Sequence, residues 1–139
     1  MTIVGFNFTK INVEKTKTAS GSVNIQNNVS IKNVEESSLS LGQAKQKGLK
    51  FTFEFVSKYE PNIGSITLIG DVLYLEEAKK VEEMFKEWKK DKKLPKEVMT
   101  AILNTALTKC NIEALILSQQ INLPPPIPLP KVQETKKKA

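Results

Sequence analysis

Residues 95–130 constrain the chain more than any other stretch, because their two halves obey opposite physics. Residues 95–120 contain no internal proline or glycine, and the spacing predicts one long helix. Pro95 suits its first turn, where a missing N–H costs nothing, and Glu97 lies at the positive end of the macrodipole. Val98, Ile102, Leu103, Ala106, Leu107, Cys110, Ala114, Leu115 and Leu117 spread over most of the circumference. A helix apolar over so wide an arc is covered on more than one side. We therefore expect a sheet on one flank and a second subunit on the other, with Ile102, Ala106, Cys110 and Leu117 at that subunit contact. Residues 123–130, Leu-Pro-Pro-Pro-Ile-Pro-Leu-Pro, cannot continue the helix. Five prolines fix φ, remove donors and impose extended, polyproline-like backbone. Ile127 and Leu129 alternate with prolines and can point one way, so this segment is expected to fold back onto apolar surface of its own domain.

Upstream, the periodicity changes from helical to alternating. Val4, Phe6 and Phe8 share one parity, Ile11 and Val13 the other, which predicts a strand with a bulge near Thr9 and Lys10. Val23, Ile25, Val29 and Ile31 give a second strand, with Asn27 in the same file and polar residues opposite. A polar loop follows over residues 37–48. Leu49, Phe51, Phe53 and Phe55 alternate with Lys50, Thr52 and Glu54 in a third strand, one face of which is apolar. A turn at residues 59–64 leads to a fourth, residues 65–75, apolar on both faces and so expected to be covered on both. Short loops between successive strands favour an antiparallel sheet. Residues 76–90 read as a charged amphipathic helix with a stripe of Ala78, Val81, Phe85 and Trp88, acids at its start, lysines at its end, and favourable i,i+4 pairs of Glu76 with Lys80 and Glu82 with Lys86. The expected fold class is α+β: a four-stranded antiparallel sheet packed by a long C-terminal apolar helix, with an extra charged helix before it. Residues 1–132 form one domain and residues 133–139 a lysine-rich tail.

Composition narrows the chemistry. There is no histidine, which removes the commonest general base and metal ligand. Cys110 is the single cysteine and lies among apolar residues, where a thiol is usually a small core hydrophobe. Adjacent acids such as Glu35 and Glu36 point apart, Asp71 is isolated in a strand and best explained by an edge or turn, and no glycine-rich loop cradles phosphate. We expect no enzyme, no catalytic residue, no metal and no cofactor. No run reaches the roughly 20 apolar residues of a bilayer span, nothing in residues 1–8 resembles a signal peptide, and the expectation is a soluble, cytoplasmic protein. The net charge is +6, and all 21 basic residues are lysine. Lys86, Lys89, Lys90, Lys92, Lys93 and Lys96 form the densest patch, and Lys136, Lys137 and Lys138 end the chain. Such lysines hold a phosphate backbone without reading bases. Trp88 shares the apolar stripe of its helix and is expected in the core.

In this order of elements the chain resembles SecB, the bacterial export chaperone family. The best local match is residues 122–132, Asn-Leu-Pro-Pro-Pro-Ile-Pro-Leu-Pro-Lys-Val, which is similar to the family's alternating prolines and leucines before a Pro-Val pair; here Lys131 intervenes. The first strand, with Phe6, Phe8 and its change of phase, is also similar. The chain departs in its extra charged helix, in ending with lysines where the family continues into another helix, and in being basic where the family is acidic, which argues against docking on the SecA motor. The arginine-free style fits an archaeal-type homologue. The resemblance implies a dimer or dimer of dimers and an ATP-independent holdase for non-native polypeptide, with Phe6, Phe8, Phe51, Phe53, Phe55, Ile127 and Leu129 lining a groove. The alternative is a ribosomal or ribosome-associated protein contacting rRNA through its lysine patches.

Overall fold

The computed structural model describes residues 2–18, 21–37, 46–130 and 132. Four strands, β1 (Thr2–Lys15), β2 (Asn24–Ser37), β3 (Gln46–Glu60) and β4 (Gly64–Glu77), precede two helices, α1 (Ala78–Asp91) and α2 (Lys96–Gln120). The strands form one antiparallel sheet in the order β1-β4-β3-β2. The fold is α+β, as the pattern predicts: β1 and β2 are the edges, and the long C-terminal helix packs on the sheet.

Alternation decides which face the helices cover. Leu49, Phe51, Phe53, Phe55 and Tyr59 of β3 are buried, and so are Ile66, Leu68, Val72 and Tyr74 of β4. The register sets Phe51 beside Val72 and Phe55 beside Leu68, so the two files make one apolar surface. Phe53 faces Gly70, whose missing side chain leaves room for the ring: a β-carbon on Gly70 would lie against the Asn7 carbonyl oxygen and 2.8 Å from Phe53 Cζ. Each buried phenylalanine contributes about 2–3 kcal/mol through area removed from water.

The bulge foreseen in β1 lies between Phe8 and Lys10, where Thr9 Oγ1 donates to the Ile69 carbonyl at 3.2 Å. It keeps Phe6, Phe8, Ile11 and Val13 facing Val72, Gly70, Leu68 and Ile66 although their parities differ. A second β1 irregularity, between Ile3 and Gly5, had no sequence signal, and one in β2, between Ile31 and Asn33, is marked only by the changed parity of Val34. The β2 shift returns Val34 to the covered face beside Phe51.

On α2 the buried residues are Val98, Ile102, Ala106, Cys110, Ala114 and Ser118, one every four positions. Four residues overshoot a turn by about 40°, so the line winds around the helix and tracks a twisted sheet. Its middle members are small, which lets the helix lie close. The opposite side is less apolar than expected: Ile112 and Ile116 are exposed, among Asn104, Thr108 and Lys109.

Three further expectations change. The charged helix begins at Ala78, leaving Glu76 in β4, where it accepts from the Tyr74 hydroxyl at 3.0 Å, so α1 has no acid in its first turn. Glu82 pairs chiefly with Lys47 of β3 at 2.9 Å, and the expected helix partner Lys86 acts on its carboxyl only as a weaker second charge. Asp71 is neither at an edge nor in a turn; it stands in the middle of β4 on the helix-free face, accepting from Thr52 Oγ1 at 3.0 Å. That face leaves Ile69 and Leu73 half-buried, without a helix over them. The loop of residues 37–48 lies largely outside the described residues; its ends, Ser37 and Gly48, pair as the last rungs of β2 and β3.

Candidate functional site

The C-terminal end of α2 sets the direction of the proline segment. Asn122 takes the left-handed conformation (φ 56°), its N–H donates to the Gln119 carbonyl at 3.4 Å, and the N–H of Leu123 donates to the Ser118 carbonyl at 2.9 Å. This is a Schellman stop, with the apolar residue after the left-handed position folded under the helix end. Leu123 is accordingly buried. Residues 122–124, Asn-Leu-Pro, carried that signal in the sequence.

Beyond Leu123 the backbone is neither helix nor strand and bends at Pro126 and Ile127, and its carbonyls find no backbone partner within the segment. Side chains from β2 and β3 supply them. The Tyr59 hydroxyl donates to the Pro124 carbonyl at 2.7 Å, and Asn27 Nδ2 donates to the Pro126 carbonyl at 2.7 Å. Asn27 is itself fixed by the Ser57 hydroxyl, which donates to Asn27 Oδ1 at 2.6 Å from the register position directly opposite. Ser57 and Pro126 are buried. Burial pushes the Tyr59 hydroxyl up to about 12, so it remains a donor across the ordinary pH range.

The pinned segment stands as a ridge between two clefts. One, of about 640 Å³, is lined by Leu115, Ile116, Gln119, Asn122, Pro125 and Leu129 among others. The other, of about 650 Å³, lies between Val23, Ile25 and Asn27 of β2 and residues 125–130. Pro125 and Leu129 border both, and among the described residues no charged side chain lines either. In a chain with 26% charged residues, two adjoining uncharged clefts of ligand-pocket size are a distinctive surface. The second opens beside β2, an edge strand whose outer backbone groups pair with no strand among the described residues.

Of the seven residues expected to line a groove, Ile127 and Leu129 border the β2 cleft, Ile127 half-buried and Leu129 45% exposed. Phe6 and Phe8 are half-buried on the other edge, three strand spacings or about 14 Å away, in a ring cluster with Phe53. Phe51, Phe53 and Phe55 have 0% exposure beneath the helices and present no surface. Ile102, Ala106 and Cys110 also have 0% exposure within the single chain, packed in its own core; Leu117 is half-buried. A wide apolar arc was read as two contacts, but the sheet takes most of it. Burial lifts the Cys110 thiol to about 12.

Lys86, Lys89, Lys90, Lys92, Lys93 and Lys96 are all exposed, while Trp88 is in the core at 6% exposure. Lys136, Lys137 and Lys138 lie outside the described residues. Among the described residues no group of acidic or cysteine side chains has metal-site geometry, and no helix is long and apolar enough to cross a membrane.

No protein-family model matches the chain, and no curated protein matches it. Among solved structures it is similar to the SecB-like chaperone Rv1957 of Mycobacterium tuberculosis, determined in complex with a ChAD peptide from the Rv1956 HigA1 antitoxin. The superposition gives a TM-score of 0.53 with 8% sequence identity, over 96% of this chain and 91% of that one. At that identity the likeness is one of architecture, and the architecture is that of a SecB-like chaperone.

Proposed function

We propose that the chain is an ATP-independent holdase that binds extended, non-native polypeptide in the two clefts beside its proline segment. The observation that carries this reading is the pairing of a strand edge, β2, that no other described strand covers, with clefts on both sides of a fixed ridge that no described charged side chain lines. Unfolded chain offers two things to a binder, backbone hydrogen-bonding groups and apolar side chains. Edge-strand addition takes the first and alternate pockets take the second, without need of a particular sequence. A peptide bound to a protein of the same architecture supports the assignment. In this reading copies of the chain associate as a dimer or dimer of dimers through the outward side of α2, where Ile112 and Ile116 are exposed.

The test is light scattering from a chemically unfolded client diluted into buffer with the protein, with and without ATP. Near-stoichiometric suppression of aggregation, indifferent to ATP, is the expected result. Ile127→Asp combined with Leu129→Asp removes two apolar contacts worth about 1.5 kcal/mol or more each. Client affinity should therefore fall about 100-fold, with circular dichroism and sedimentation unchanged. Undiminished suppression by this folded double variant would exclude the clefts as the site.

A further inference from the structure

The end of the molecule away from the clefts carries a different surface. α2 is 25 residues long, so its N-terminus lies about 37 Å from the proline segment. There α1 ends, the chain turns, and residues 86–96 bring six lysines together against two carboxylates, Glu87 and Asp91. All six lysines are exposed, and among the described residues none of them forms an ion pair. Glu82, the helix neighbour of Lys86, is turned to Lys47 on β3. The carboxylate of α1 best placed to neutralise Lys86 is thereby engaged by a strand lysine, and the lysines at the end of the helix are left to solvent. Lys92 Nζ is held 5.2 Å over the Trp88 ring and Lys89 Nζ 4.6 Å over that of Phe85. Lys86, Lys90 and Lys93 are free of ring contacts; Lys86 and Lys90 sit four residues apart on one face of α1, and Lys93 follows just beyond the left-handed Lys92 that ends the helix.

We infer that this pole is a docking surface for the phosphate backbone of RNA, bound without regard to base sequence. The chemistry of the patch favours a phosphate polymer over a protein or a membrane. It consists of lysine alone in a chain with no arginine, so it supplies point charges and lacks the planar forks that pair with protein carboxylates or read guanine. No ring is offered for base stacking, because Trp88 is buried and Lys89 covers Phe85. An anionic membrane would be expected to take up apolar side chains beside the lysines, but Trp88 is in the core and Phe85 and Leu94 are half-buried against it. What remains is attraction to closely spaced phosphates through counterion release. This surface is separate from the clefts, and either assignment can fail without the other.

Fluorescence anisotropy with labelled 20-nucleotide oligouridylate and oligoadenylate, on the full chain, tests it. With six lysines engaged on a single strand, log Kd should change with log salt at a slope of about 4, which is about 300-fold between 50 and 200 mM salt, equally for both oligonucleotides. The variant Lys86→Gln, Lys90→Gln, Lys93→Gln touches no packed ring. Its slope should drop to about 2, about 20-fold over the same range, while aggregation suppression stays as in the wild type. Absence of binding at 50 mM salt overturns the inference, as does a slope unmoved by the triple substitution. It is also overturned if vesicles containing phosphatidylglycerol compete with RNA as effectively as unlabelled RNA does, since the surface would then be a general anion or membrane contact.

Discussion

Asn27 stands in a file of apolar residues between Ile25 and Val29, and nothing in its neighbours explains it. The explanation lies 99 residues along the chain, at the carbonyl of Pro126. Ser57 and Tyr59 are likewise polar groups on a covered face, and Tyr59 meets Pro124 across 65 residues. Periodicity shows which face a side chain shares; it carries no information about a partner so distant. The substitution Asn27→Ala strands the Pro126 carbonyl and the Ser57 hydroxyl in buried positions. It should cost about 1–3 kcal/mol, seen as a lower urea midpoint at unchanged slope. Alkaline pH probes the same cluster. The Tyr59 hydroxyl is raised from 10.0 to about 12 by burial, and that of Tyr74 moves the same way through burial and the Glu76 carboxylate. Below pH 10 folded and unfolded phenols both keep their protons and this contribution is complete. As pH rises from 10 towards 12 the unfolded chain releases protons that the folded chain retains, so stability falls across that window. Denaturation in urea at a series of pH values should show the decline, reduced in Tyr59→Phe. Cys110, fully buried and raised to about 12, should not react with a neutral-pH thiol reagent until the chain unfolds.

At the scale of elements, the sequence was legible wherever one repeat ran uninterrupted. Leu49 to Phe55 alternate cleanly and form the covered face of β3, and the long apolar run after Pro95 forms α2. The bulge at Thr9 was legible because it changes the parity of large residues on either side. The one at Ile31 was harder to read, because only one apolar residue, Val34, follows it before the strand ends, too few to establish a new parity. Residues 76–78 misled for another reason: two acids before an amphipathic stripe suit a helix start, yet pairing of Glu76 and Glu77 with β3 holds them in β4. Apolar alternation also cannot distinguish core from groove. Phe51, Phe53 and Phe55 fit both descriptions until the helices are placed over them. Gly70 shows how closely these elements meet. Gly70→Ala pushes a methyl group against the backbone of β1 and the Phe53 ring, and neither neighbour is a flexible side-chain end. Overpacking of this kind should cost about 1–3 kcal/mol, and thermal melting would show a lower Tm with the fold retained.

The whole molecule separates two surfaces of unlike chemistry along the length of α2. Among the described residues, one end has uncharged clefts, a fixed proline ridge and an open strand edge; the other has unpaired lysines. The Schellman turn at Asn122 and the hydrogen bonds from Tyr59 and Asn27 determine where the ridge stands, and therefore where both clefts are. The central claim is that extended polypeptide occupies those clefts. Amide hydrogen exchange with and without an unfolded client tests it most directly. The account predicts slower exchange in the first half of β2, from Asn24 to Ser30, in the last turns of α2, and at Ile127 and Leu129, with residues 86–96 unchanged. Protection confined to β1, to the helix-free face of the sheet or to the lysine end, with the β2 edge and the proline segment unaffected, would contradict it.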